Sequence, residues 1–163
     1  MIAFPAWWEG GFPDSELVVL DLVQTYLDKL NPQGKAVAWL TADHTQLVES
    51  GVPVVRVYRG GMAADGLFDP AAIQVGVIAK LRRDSWEVAE YLRQILRSFD
   101  HGGPVRRADN SITMISCIEE IAGPMQLPEL NPDHRLVPFT VRVDFRYPRE
   151  RPDYAVIRES LPL

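Results

Sequence analysis

The chain has 163 residues, 47% of them apolar and 24% charged, with a net charge of -5. That is enough chain to bury a core without staples, and its acid excess excludes a protein whose whole surface tracks nucleic acid. Cys117 is the only cysteine, which rules out an intramolecular disulfide and a thiolate zinc cluster.

The opening "MIAFPAWWEGGFPDSEL" has neither a basic region nor a continuous apolar one, so it does not read as a secretory signal, and no later run is long enough to span a bilayer. A soluble product of a reducing compartment is expected. Residues 1–13 are aromatic and rich in Gly and Pro, without periodicity. Trp7 and Trp8 either fold back on their own chain or dock on a neighbouring subunit, since Trp and Tyr are enriched at interface hot spots.

A helix is predicted from Asp14 or Ser15, with Leu17, Leu20, Val23, Leu27 and Leu30 as its apolar stripe and Asp21, Gln24 and Asp28 on its wet face. "NPQG" at 31–34 ends it. A strand over 36–41 follows, then a polar connection with Asp43, His44 and Thr45. Strands are predicted over 53–58 and 71–80, the second alternating Ile73, Val75, Val77 and Ala79 against Gln74 and Gly76.

The second helix carries Trp86, Ala89, Leu92, Leu96 and Phe99 on one stripe, with Asp84 and Glu87 at the spacing of a capping box. "DHGGP" stops it. Strands over 111–122 and 135–147 complete the chain. In the last, Val137, Phe139, Val141, Val143, Phe145 and Tyr147 alternate with Thr140, Arg142, Asp144 and Arg146, a half-buried antiparallel strand with a charged outer face. The order predicts an α+β fold, mainly antiparallel with two helices packed on one sheet. One domain over 1–163 is expected, with arms at 1–13 and 148–163.

Motifs for chemistry fail one by one. "RGGMAADGLFD" at 59–69 has glycines at nearly the spacing of a phosphate loop. However, Leu67 and Phe68 stand where Lys and a hydroxyl residue belong, and a strand follows instead of a helix. Asp65 and Asp69, four apart among apolar residues, do not make a calcium loop. The segment is expected to join two adjacent antiparallel strands, with Gly60, Gly61 and Gly66 supplying backbone angles closed to other residues. His44, His101 and His134 show no metal-ligand spacing, and there is no nucleophile elbow for a serine. Glu119 and Glu120 are adjacent on a strand and point to opposite faces. Cys117 lies in an apolar run, where a free thiol behaves as a small core residue. Arg135, Arg142, Arg146, Arg149 and Arg151 form a basic string, yet no aromatic–basic interleaving for stacked bases accompanies it.

Three stretches then carry a resemblance: "FPDSELVVLDLVQTYL", "GVPVVRVYRGGMAADGLFDPAAIQVGVIAKLRRDSWEVAEYLRQILRSF" and "FTVRVDFRYP". Together they resemble the tail terminator, or tail-completion, proteins of long-tailed bacteriophages, especially those of actinobacterial phages, over most of residues 12–147. This resemblance implies a tail-tube-like α+β fold and a ring of six subunits made in the host bacterial cytoplasm and built into the virion. The ring would cap the last ring of tail tube protein and end its polymerisation. Its other side would meet the head-side connector, and DNA would pass through the lumen. No enzyme activity, cofactor, metal or membrane contact is implied. Arg59, Met62, Asp65, Leu67 and Phe68 are the expected contact residues, followed by Arg142 and Arg146, with Trp7 and Trp8 on the arm. A head-completion or head–tail joining protein is the alternative; a small α+β enzyme is a more distant one. The acidic front and basic back of the chain suit a ring in which one surface meets a different surface of the next subunit.

Overall fold

The computed structural model describes residues 2–8, 10–63, 67–125, 135–146 and 153–160. The first helix, α1 (Ser15–Leu27), starts at Asp14, whose carboxylate accepts the backbone N–H groups of Glu16 and Leu17. Two donors that every helix start leaves open are thereby satisfied. The buried face is Val18, Val19, Leu22, Val23 and Leu27, a correction to the predicted stripe, because Leu17 is exposed and Leu20 and Leu30 are only half-buried. Six of the seven residues from Leu17 to Val23 are apolar, so several stripes of helical period fit; packing chose among them. The predicted wet face is also revised. Gln24 donates to Asp28 Oδ1 and to the Gly34 carbonyl, and its amide oxygen accepts the Ala36 N–H at 2.7 Å, tying the helix to the next strand.

That strand, β1 (Lys35–Val37), is shorter than predicted, and Trp39 and Leu40 lie beyond it on the surface. A short helix, α2 (His44–Glu49), occupies the predicted polar connection. Six residues with two apolar side chains carry too little periodicity to announce it. The strands β2 (Val54–Gly60) and β3 (Phe68–Ile78) pair antiparallel, as the loop between them was expected to require, while β1 and β2 run parallel. Gly60 is the last residue of β2, and neither it nor Gly61 has a positive φ, so the left-handed role expected of them is not used.

The long helix α3 (Arg82–Arg97) buries Ser85, Ala89, Leu92 and Leu96, with Phe99 half-buried just beyond its end. Asp84 lies inside its first turn and no side chain caps the start, so the predicted capping box is absent. Ser85 takes the inward place instead, its hydroxyl accepting the Ala79 N–H at 2.8 Å. Trp86 is pushed to the surface under the Arg82 guanidinium.

After α3 the predicted strand over 111–122 divides at Ser116. One part, β5 (Ile112–Ile115), pairs with β4 (Gly103–Arg106) in a separate hairpin. The other part, β6 (Cys117–Ala122), pairs with β7 (Val137–Arg146) at the edge of the main sheet. The main sheet has the order β1-β2-β3-β7-β6. A last helix, α4 (Tyr154–Ser160), lies in the region expected as an arm. The molecule is thus α+β with a mainly antiparallel, mixed sheet and four helices among the described residues.

The register gives the sheet two unlike faces. Val55, Val57, Ile73, Val75, Val77, Val141, Val143 and Phe145 share the inner face, where α1 and α3 cover them in one core cluster. Phe139 and Phe145 are its largest side chains; Phe139→Ala at such a site costs about 3–5 kcal/mol. On the outer face α2 covers one end only, through Val48 against Val54 and Ile78. On the rest of that face Pro70, Gly76 and Pro138 are buried and Tyr58 and Gln74 are exposed.

Candidate functional site

The predicted contact loop rises from the end of the β2–β3 hairpin. Arg59 lies on the inner face of β2 and Asp69 on the same face of β3. Arg59 Nη2 donates to both carboxylate oxygens of Asp69, at 3.0 and 2.9 Å. The Arg59 N–H donates to Glu16 Oε2 of α1 at 2.9 Å, on a stretch of β2 that extends past the end of β1. Three elements therefore converge on the base of the loop: α1 through Glu16, β2 through Arg59 and β3 through Asp69. Arg59, one of the expected contact residues, is thus paired within the chain while 32% of its side chain remains exposed. Asp69 is nearly buried, and a buried carboxylate needs this pairing.

Above that base the apolar residues point outward. Met62 and Leu67 are exposed, Leu67 at 68%. Phe68 is half-buried and is the first residue of β3 rather than part of the loop. Asp65 lies outside the described residues.

The second predicted surface is the outer face of β7. Arg142 forms a two-bond fork with Asp144, at 2.8 and 2.9 Å, and stands opposite Glu119 of β6. Its guanidinium pKa is raised, chiefly by the Asp144 carboxylate. Arg146 is exposed, and its N–H donates to the Ser116 hydroxyl. Asp144 thus offsets part of the positive field of this face.

At the N-terminus Phe4, Trp7 and Trp8 are exposed, and none of them joins a core cluster. The Trp8 N–H donates to the Pro5 carbonyl, and the Phe4 and Trp8 rings lie 5.8 Å apart.

Two surfaces escaped the sequence reading. On the outer face of β2 the Arg56 guanidinium stacks over Trp39 at 5.5 Å and Tyr58 at 5.0 Å. The two-residue spacing of Arg56 and Tyr58 signals a shared face; nothing local brings Trp39 to it. The β4–β5 hairpin presents exposed Ile112 and Met114, and Arg107 in the turn joining its strands pairs with Asp21 of α1 at 2.6 Å.

In the groove between α3 and β6, Arg93 donates to Glu120 at 2.8 and 3.0 Å and to Glu90 at 2.9 and 3.2 Å. These bonds hold the Glu120 carboxyl below its ordinary range, and the Gln94 amide, then Arg93, do the same for Glu90. Cys117 is half-buried on the edge strand rather than in the core, and its thiol donates to the Asp100 carbonyl. Burial, then Glu119 and Asp144, pushes its pKa up, away from the reactive thiolate. His44 opens α2 and sits 2.7 Å from the Thr41 carbonyl, His101 is in an exposed turn, and His134 is outside the described residues. Among the described residues no group of three His, Cys, Asp or Glu is placed to hold a metal ion.

The class these features define is an α+β protein whose notable features are exposed surfaces on a well-tied sheet. The sequence matches the family model described as phage tail termination protein over residues 11–152, and the chain belongs to that family. It is accordingly a structural component of a phage tail, in a family that is not one of enzymes. No curated protein matches it. Among the described residues no helix is long and apolar enough to cross a membrane.

Proposed function

We propose that copies of this chain form a closed ring of six that seats on the last ring of tail tube protein, stops its polymerisation and offers its opposite side to a head-side connector. DNA passes through the ring without being read. The ring-forming unit is one domain spanning the chain, with arms at 1–13 and 148–163. The observation that carries this reading is the β2–β3 loop: Met62 and Leu67 are exposed above a base braced by Glu16, Arg59 and Asp69. Membership of a family described as phage tail termination protein supports contact with other tail proteins.

In this reading Met62, Asp65, Leu67 and Phe68 touch the tube or the next subunit, and Arg59 positions them. Arg142 and Arg146 contribute a second contact, and Trp7 and Trp8 a third. The test is a tube-length measurement: tail tube subunits polymerise with the wild-type chain or with Leu67→Asp plus Phe68→Asp. Wild type is expected to hold tubes short and the double variant to release their growth. Normal capping by the double variant removes the loop from the interface. Tubes that grow freely with wild-type protein point instead to a head-completion or joining role.

A further inference from the structure

We propose that the aromatic N-terminal segment of one copy, with Phe4, Trp7 and Trp8, docks on the Trp39–Arg56–Tyr58 platform of a second copy of this chain. The inference rests on the ring assembly proposed above and names a pair of surfaces within it.

Both surfaces are exposed and of matching chemistry. The Phe4 and Trp8 rings lie 5.8 Å apart, and Trp39, just past the end of β1, is 71% exposed. Trp, Tyr and Arg are the residue types that dominate interface energetics when water is excluded from them. The guanidinium between Trp39 and Tyr58 is already flattened against two rings, and its Nε donates to the Ala38 carbonyl at 3.4 Å. It is therefore held in place before a partner arrives, which lowers the ordering cost of docking.

Charge selects the occupant. Residues 2–13 contain one acid, Glu9, and no Lys, Arg or His, whereas the platform is centred on Arg56. An acidic aromatic segment and a cationic aromatic platform on the same chain make a self-complementary pair, and an unlike pair of this kind propagates head to tail round a ring.

Reach is sufficient. The segment is rooted where Asp14 caps α1 and Glu16 grips Arg59. Residues 2–13 then span up to about 40 Å when extended, at roughly 3.3 Å per residue. Within its own chain the segment leaves Trp39 open. Residues 1–10 also lie outside the stretch matched by the family model, so this contact is an addition to the shared family core.

The test is a crosslinking experiment on an equal mixture of heavy-isotope and light protein. The heavy copy carries p-benzoylphenylalanine in place of Trp8, and the mixture is irradiated alone and on tail tubes. Expected is a heavy–light crosslink from position 8 to the light peptide spanning 35–58. Trp39→Ala plus Tyr58→Ala in the light copy should cut its yield at least fivefold with an unchanged melting temperature. Crosslinks confined to one copy, placed on the 103–115 hairpin or made to the tube protein overturn the proposal. The tube-length measurement separates the two readings: wild-type capping without the heavy–light crosslink sinks the docking alone. A heavy–light crosslink on protein that fails to cap sinks the terminator reading alone.

Discussion

Arg59 and Asp69 meet on the inner face of the sheet, ten positions apart in sequence and on adjacent strands, with the Asp69 side chain only 10% exposed. Asp69→Asn keeps one acceptor oxygen for Arg59 but removes the charge and replaces the second acceptor with an NH2 donor at the loop base. It is expected to lower stability by about 1.5–3 kcal/mol, the usual range for hydrogen bonds to charged groups, measured by urea unfolding. Glu120 makes a different prediction. Arg93 holds its folded-state pKa below the ordinary value of 4.5, so the unfolded chain binds the proton more readily. The stabilisation is therefore complete above about pH 4.5 and is lost as pH falls through the lowered folded value. Glu120→Gln is expected to flatten the fall of stability with acidification in that window, read from melting temperatures between about pH 3 and 6. If the acid slope is unchanged, the Arg93–Glu120 pair is not its source.

The turn between α3 and β4 depends on one backbone conformation. Gly102 has φ +75°, and a side chain there would also run into the Ser116 carbonyl oxygen at 2.6 Å. Gly102→Ala combines backbone strain with a backbone clash, and a loss of about 2–4 kcal/mol is expected in unfolding experiments. The glycines of "DHGGP" were legible as a helix stop, and that part held because the left-handed angle is a local property. The strand over 111–122 was not legible as two strands. Apolar residues recur on both sides of Ser116, and only the hairpin with β4 and the pairing with β7 separate Ile115 from Cys117. α2 was missed for a related reason. Its helix is held by Val48 against Val54 and Ile78, contacts outside its own six residues.

Across the molecule the decisive feature is the sidedness of the sheet. Helices α1 and α3 close the inner face, and α2 covers Val54 and Ile78 on the outer face, where Trp39 and Tyr58 of the aromatic–arginine platform are exposed. A protein that assembles through such surfaces should lose assembly without losing its fold when they change. Leu67→Asp is expected to shift stability by less than about 0.5 kcal/mol, as exposed substitutions usually do, while the double loop variant releases tube growth. A variant that melts much lower than wild type would show the loop to be part of the core instead. Family membership sets the setting for these tests, and the loop residues supply their content.

By itself the sequence determined the α+β class, the two long helices, the antiparallel β2–β3 and β7 strands, the family and the failure of each catalytic motif. These follow from periodicity, punctuation by Gly and Pro, and residue spacing, all of which act over neighbouring positions. Only the tertiary structure decided which stripe of α1 is buried, that Gln24 and Asp21 tie the helix down, and that Arg59 belongs to Asp69. It alone brought Trp39 to Arg56. Those outcomes depend on which surfaces meet after the chain folds back on itself, where one of several sequence-compatible faces gains the most buried apolar area and the best-satisfied polar groups.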